Sequence, residues 1–92
     1  MKLLIFEAIW CRDCQIMKPM WRNFKVQFPE LDIQEVDCSE NSGVTTELMN
    51  KFNILDLPVC IFLNKNNEEL ARTVGVKHRD ELLELINKYQ TL

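Results

Sequence analysis

Two stretches of this chain, KLLIF from Lys2 to Phe6 and VCIFL from Val59 to Leu63, are nearly continuous apolar runs. Such a run suits a strand buried on both faces, whereas a half-exposed strand would alternate apolar and polar residues. A sheet built around such strands needs a covering layer on each side. The rest of the sequence supplies the layers. From near Cys11, the residues Met17, Met20, Trp21, Phe24 and Phe28 recur at i, i+3, i+4, i+7 and i+11, one apolar face of an amphipathic helix closed by Pro29. Pro19 lies inside that stripe, which continues past it, so a kink rather than a break is expected.

Asp32 to Cys38 reads as a second strand, SENSG (39–43) as a turn, and Thr45 to Phe52 as a short helix buried through Val44, Leu48 and Phe52. The NKNN segment at 64–67 is a tight turn between Val59–Leu63 and a partner strand at Leu70–Val74. Strands joined so closely are antiparallel. Leu82, Leu85, Ile86 and Tyr89 mark the apolar face of a final helix. The order β-α-β-α-β-β-α has no linker and no repeat. It predicts one α/β domain over residues 1–92, with the first two strands parallel through a right-handed crossover. The expected product is a four-stranded mixed sheet with helices on both faces.

Composition narrows the function classes. With 47% hydrophobic and 27% charged residues, two glycines and three prolines, the 92-residue chain has the make-up of an ordered domain. A net charge of -3, with scattered Lys and Arg, leaves no footprint for nucleic acid or an anionic membrane. The opening MKLLIF is interrupted by Glu7, short of the roughly 7–15 apolar residues of a signal core. Nothing approaches the roughly 20 apolar residues of a membrane span. A cytoplasmic protein is expected, and there cysteines stay reduced unless they do chemistry.

Four cysteines are present, and Cys11 and Cys14 form a C-x-x-C motif where a strand's carboxyl end meets a helix N-terminus. Free backbone N–H groups and the helix dipole there favour negative charge and lower a thiol's pKa. Cys11 is placed to become a thiolate nucleophile. Cys14, nearly one turn further on, is placed to resolve a mixed disulfide formed on Cys11. Between them Arg12 favours the thiolate and Asp13 opposes it while suiting the helix start. Two other readings stay open for the pair: buried structural cysteines, or metal ligands.

The segment WCRDCQIMKP resembles the active-site segment of thioredoxins, a Trp-Cys-x-x-Cys with a proline five residues after the second cysteine. VDCSEN is similar to that family's strand end before its second crossover helix, FNILDLPVCIFL to its cis-proline stretch, and RTVGV to the glycine after its last strand, here Gly75. The resemblance covers nearly the whole chain, lacking the N-terminal strand and helix of full-length thioredoxins, and implies a minimal thioredoxin fold. It implies Cys11 as nucleophile, Cys14 as resolving thiol, a cis Pro58 with the Leu57 backbone pairing with the substrate chain, and Trp10 flanking the docking surface. The residues alone would leave Trp10 as packing and Pro58 as a trans proline opening a strand.

Three positions depart from the family pattern. Arg12-Asp13 replaces the usual Gly-Pro, Ile5 stands where thioredoxins carry a buried aspartate assisting proton transfer, and Glu35 stands where they often carry a lysine. One hypothesis makes Glu35 the proton acceptor for Cys14. The plainer one leaves it a solvated strand-edge glutamate, since glutamates are seldom buried.

Of the remaining candidates, Cys38 ends a parallel strand at the functional edge of the sheet but is most simply a core or loop cysteine. Cys60 reads as core, and His78 as a surface residue near a helix start. Lys18, Arg22 and Lys25 form a solvated helix face, and Met17 and Met20 belong to the core stripe. The expected activity is thiol–disulfide exchange reducing protein disulfides through Cys11 and Cys14, with no bound cofactor and no metal. The expected partners are disulfide-containing clients and a thioredoxin reductase-like electron donor, and the expected state is a monomer. The alternatives are a glutathione-dependent, glutaredoxin-like enzyme, a cysteine-ligated metal or iron–sulfur module, or an interaction module. A lone Gly75 in place of the paired glycines of glutaredoxins weighs against the first, and the isolation of Cys38 and Cys60 against the second.

Overall fold

The computed structural model describes residues 1–40 and 42–90. Seven elements follow in the expected order: β1 (Lys2–Glu7), α1 (Arg12–Gln27), β2 (Asp32–Asp37), α2 (Gly43–Lys51), β3 (Val59–Leu63), β4 (Glu69–Val74) and α3 (Arg79–Tyr89). They build one mixed sheet in the order β2-β1-β3-β4. The two apolar runs occupy its two central strands. β1 is parallel to β2, with Leu3 opposite Ile33, and antiparallel to β3, with Leu3 opposite Phe62; β4 is antiparallel to β3.

Period-two alternation divides each central strand between two cores. Leu3, Ile5, Cys60 and Phe62 face α1 and α3, where they meet Met17, Trp21, Phe24, Leu82 and Ile86. Leu4, Phe6, Val59, Ile61 and Leu63 face the other side, against Phe52 and Ile54, with Leu48 and Met49 of α2 packed around them. The α1 stripe is buried through Cys14, Met17, Trp21 and Phe24, and the helix continues through Pro19 to Gln27.

One expectation about α2 needs correction. Val44 is 69% exposed rather than buried. The helix starts at Gly43, two residues earlier than its apolar spacing suggests, with Ser42 as N-cap accepting from the Thr45 N–H at 3.1 Å. Val44 therefore falls in a first turn directed away from the sheet, and the helix docks through its later residues. Asn41, within the expected 39–43 turn, lies outside the described residues.

Two details close the ends of the β3–β4 hairpin. At the end remote from Cys11, Asn64 caps the β3–β4 turn, its Oδ1 accepting from the Asn66 and Glu68 N–H groups at 2.8 and 3.0 Å. Beyond β4, Gly75 adopts φ +83°, a region that side chains disfavour, and its N–H donates to the Pro58 carbonyl at 2.9 Å. That bond ties the end of β4 to the loop before β3.

Removing the Phe24 ring from the α1–sheet core should lower the unfolding free energy in urea by about 3–5 kcal/mol. Val44→Ser should change it by no more than about 0.5 kcal/mol. A loss for Val44→Ser as large as for Phe24→Ala would contradict the docking of α2 described above.

Candidate active site

Because β1 is covered on both faces, its chain leaves the sheet only at the carboxyl end, and residues 8–10 turn there directly into α1. The Cys11 N–H donates to the Ala8 carbonyl at 3.2 Å. Cys11 is the N-cap of α1, and its Sγ accepts from the Cys14 N–H at 3.2 Å. The two cysteines are joined in a disulfide with Cα atoms 5.2 Å apart, well within the reach of such a bond. Their exposure differs sharply: Cys14 is fully buried, whereas Cys11 is partly open to solvent. In the reduced protein a thiolate at Cys11 would sit at the positive end of the helix dipole beside an unshared N–H donor.

The turn carrying Cys11 is held from β2. Ser39 Oγ accepts from the Ile9 N–H at 2.7 Å, and the Ser39 N–H donates to Asp37 Oδ1 at 2.8 Å. The hydrogen bonds from Ser39 hold the Asp37 carboxyl below its ordinary pKa. Ser39 was not a candidate from sequence, since nothing in a turn serine announces its partner thirty residues away.

A groove of about 440 Å³ runs beside the disulfide, lined by Trp10, Cys11, Cys38, Met49 and the loop Ile54–Leu57. The Leu57–Pro58 bond is cis, and Pro58 is buried. Trp10 is 72% exposed, so core packing does not account for it. Arg12 and Asp13 are both exposed on the first turn of α1. The structure thus brings Trp10, Cys11 and Leu57 to one groove.

The other two cysteines pack on opposite sides of the sheet, Cys60 with the α1–α3 core and Cys38 with the α2 core. They cannot complete a four-thiolate site with Cys11 and Cys14, and among the described residues no group of three or more His, Cys, Asp or Glu side chains could hold a metal ion. Burial pushes both thiols up, and for Cys38 the neighbouring Asp37 and Glu7 charges add to it. Cys38 does line the groove, so its strand-end position places it at the functional edge.

The electrostatics beneath the site differ most from expectation. Lys18 is not part of a solvated face: its Nζ lies 2.8 Å from Glu7 Oε1 and 3.6 Å from Glu35 Oε2. Lys25 Nζ lies 3.4 Å from the other Glu35 oxygen. Glu7 is only 4% exposed. Sequence reasoning took Glu7 only as the end of an apolar run. The missed signal was alternation, since positions 3, 5 and 7 of one strand share a face, and that face is covered by α1. Glu35, its side chain 25% exposed, belongs to this ion-paired cluster.

Burial raises the Glu7 pKa above its ordinary 4.5, the Lys18 hydrogen bond opposes the shift, and the nearby Glu35 charge adds to it. The native protein therefore holds this proton to higher pH than the unfolded chain. Its stabilising contribution is complete below pH 4.5 and is lost as pH rises through the raised value. Urea unfolding of Glu7→Gln should accordingly show a flatter decline of stability above pH 4.5 than the unaltered protein. Parallel curves would show that Glu7 titrates normally. The depressed Asp37 and Glu69 carboxyls act in a separate window, losing their contributions as pH falls below their ordinary 3.8 and 4.5.

Comparison with known proteins agrees with this arrangement. A family model described as Thioredoxin matches residues 1–88. The protein named Thioredoxin H5 of Oryza sativa subsp. japonica is 33% identical over 88 residues, covering 94% of this chain but only 62% of its own length. A thioredoxin of Chlamydia pneumoniae is 32% identical over 87 residues, covering 95% of this chain and 80% of its own. Among solved structures, thioredoxin-2 of a malaria parasite superposes with a TM-score of 0.83 at 28% identity, over 96% of this chain and 82% of that one.

Proposed function

The chain belongs to the thioredoxin family and is a thiol–disulfide oxidoreductase of the protein-disulfide reductase kind, and from that premise we propose that its electrons are carried by Cys11 and Cys14. The observation that carries this reading is the unequal exposure of two bonded cysteines at a helix N-terminus. Only Cys11 is open to a client. Cys14, fully buried, can reach Cys11 and nothing outside.

In the reduced protein the Cys11 thiolate attacks a client disulfide. A bond forms between Cys11 and one client sulfur, and the other client sulfur leaves as a thiolate. Cys14 then loses its proton and attacks Cys11 Sγ. The Cys11–client bond breaks, the second client thiolate departs, and the Cys11–Cys14 disulfide is left. Two electrons have passed to the client. Since the dithiol itself holds the two electrons and the disulfide is what remains once they have gone, the chemistry calls for no bound cofactor.

The groove beside Cys11 is the natural place for the client chain. Trp10 flanks it, and the Leu57 backbone ahead of Pro58 offers main-chain pairing to an extended client segment, the mode in which a strand is added to an exposed edge. Arg12 and Asp13 lie beside Cys11, where their charges act on the thiolate with opposite sign. Glu35 acts at a distance, through Lys18 and Lys25.

A thioredoxin reductase-like protein is the electron donor in this reading, with glutathione as the competing source. The setting is a reducing one such as the cytoplasm, where a dithiol of this kind serves as a reductant, and the working state is a monomer. Against a metal or iron–sulfur role stands the separation of Cys38 from Cys60 across the sheet.

Insulin reduction tests the reading. Activity should be lost in Cys11→Ser, while Cys14→Ser should accumulate client proteins in mixed disulfides. Turnover supported by NADPH and thioredoxin reductase, and not by glutathione with its reductase, is expected. The reverse preference would move the protein to the glutaredoxin-like alternative, and an active Cys11→Ser would remove Cys11 from the mechanism.

A further inference from the structure

The loop between α2 and β3 is fixed at both ends and free in the middle. Arg72, paired with Glu69, donates from Nη2 to the Phe52 carbonyl at 2.9 Å, and the Ile54 N–H donates to the Met49 carbonyl at 2.9 Å. At the far end the Pro58 carbonyl accepts from the Gly75 N–H. Between these anchors, among the described residues, no backbone hydrogen bond engages Leu55, Asp56 or Leu57. The side chains of Leu55 and Asp56 are exposed. A segment pinned in this way loses little further freedom when it binds a partner.

Asp56 is the one charged residue lining the groove beside Cys11, among walls supplied by Trp10, Met49, Ile54 and Leu55. Among the described residues no ion pair engages its carboxylate. The basic side chains of neighbouring elements are occupied elsewhere: Lys51 Nζ lies 5.5 Å from the centre of the Phe52 ring, and Arg72 is held by Glu69. Trp10, exposed in the same groove, adds an indole, the aromatic group that best attracts a cation over its face. A free carboxylate and an open indole in one apolar groove both favour a cation.

A lysine or arginine side chain matches this combination, since its aliphatic stem covers apolar surface while its head keeps a charge partner. We propose that the groove selects client chains carrying a lysine or arginine beside the reacting cysteine, with Asp56 facing the cationic head and Trp10 the stem. The proposal rests on the Cys11–Cys14 reading and on the groove as the client's place. Cys11 and Asp56 line the same groove of about 440 Å³, and an extended chain advances about 3.3 Å per residue. The basic residue therefore falls within about two positions of the client cysteine. An acidic client side chain would meet an unpaired carboxylate there and be disfavoured. Asp56 is a specificity-determining residue, since the sulfur exchange itself is the same for every client.

Three symmetric disulfides of blocked tripeptides, Lys-Cys-Lys, Leu-Cys-Leu and Glu-Cys-Glu, test the selection. The rate of peptide-thiol release by reduced protein is divided by the rate with dithiothreitol, which removes the peptides' own reactivity. The corrected rates should fall in the order lysine, leucine, glutamate, with about three- to tenfold between the extremes at low salt. The spread should narrow towards parity near about 1 M salt, where surface charges are screened. Asp56→Asn should shrink the lysine-to-glutamate ratio, and Asp56→Lys should invert it. Asp13→Asn removes the same charge from the same edge and should shrink the ratio less. Equal corrected rates for the three peptides would overturn the proposal. So would equal shrinkage in Asp13→Asn and Asp56→Asn, which would assign the selection to overall charge. Failure of the unaltered protein to reduce any of the peptides would instead sink the Cys11–Cys14 reading, so the two failures are distinguishable.

Discussion

The structure depends on the burial of two central strands on both of their faces. β1 and β3 carry apolar side chains at nearly every position, so neither can sit at an edge and neither face can be left bare. Helices α1 and α3 close one side and α2 closes the other. Once β1 is enclosed in this way, its carboxyl end is where the chain emerges, and the first residue of the next helix must lie there. The disulfide occupies that junction. Its placement is a consequence of the sheet, and its chemistry is a consequence of the helix end it caps.

That junction is asymmetric in a way that matters for exchange chemistry. The N-cap position leaves Cys11 partly open and gives its sulfur a backbone donor, while one turn of helix carries Cys14 fully into the core. A nucleophile needs access and a stabilised charge. A resolving thiol needs protection from outside partners. A single helical turn supplies both, provided the helix is packed on the sheet through Met17, Trp21 and Phe24.

Much of this was legible from residue order. Apolar runs and 3.6-residue stripes located every strand and helix to within about two residues, the usual uncertainty of element ends. The spacing of Cys11 and Cys14 at a strand–helix junction indicated the chemistry. Where the reading failed, it did so for a common reason. Val44 was assigned to a buried face because it is apolar and well spaced, yet the cap at Ser42 set the helix start and turned it outward. Lys18 was assigned to solvent because it is charged, yet it finds a carboxylate eleven positions earlier in the chain. Residue type governs average exposure, and a specific partner overrides that average.

The sequence by itself determined the alternation of elements, the central place of the two apolar strands and the spacing of Cys11 and Cys14 at a strand–helix junction. These follow from local periodicity, which requires no knowledge of what packs where. Tertiary structure alone decided that Glu7 is buried, that Lys18 and Glu35 meet it, and that Ser39 holds the turn before Cys11. Each of these depends on which residue lies opposite which across the parallel β1–β2 pair and the helix above it. Register of that kind is a property of the assembled sheet, set by the balance of all its contacts, and no single segment encodes it.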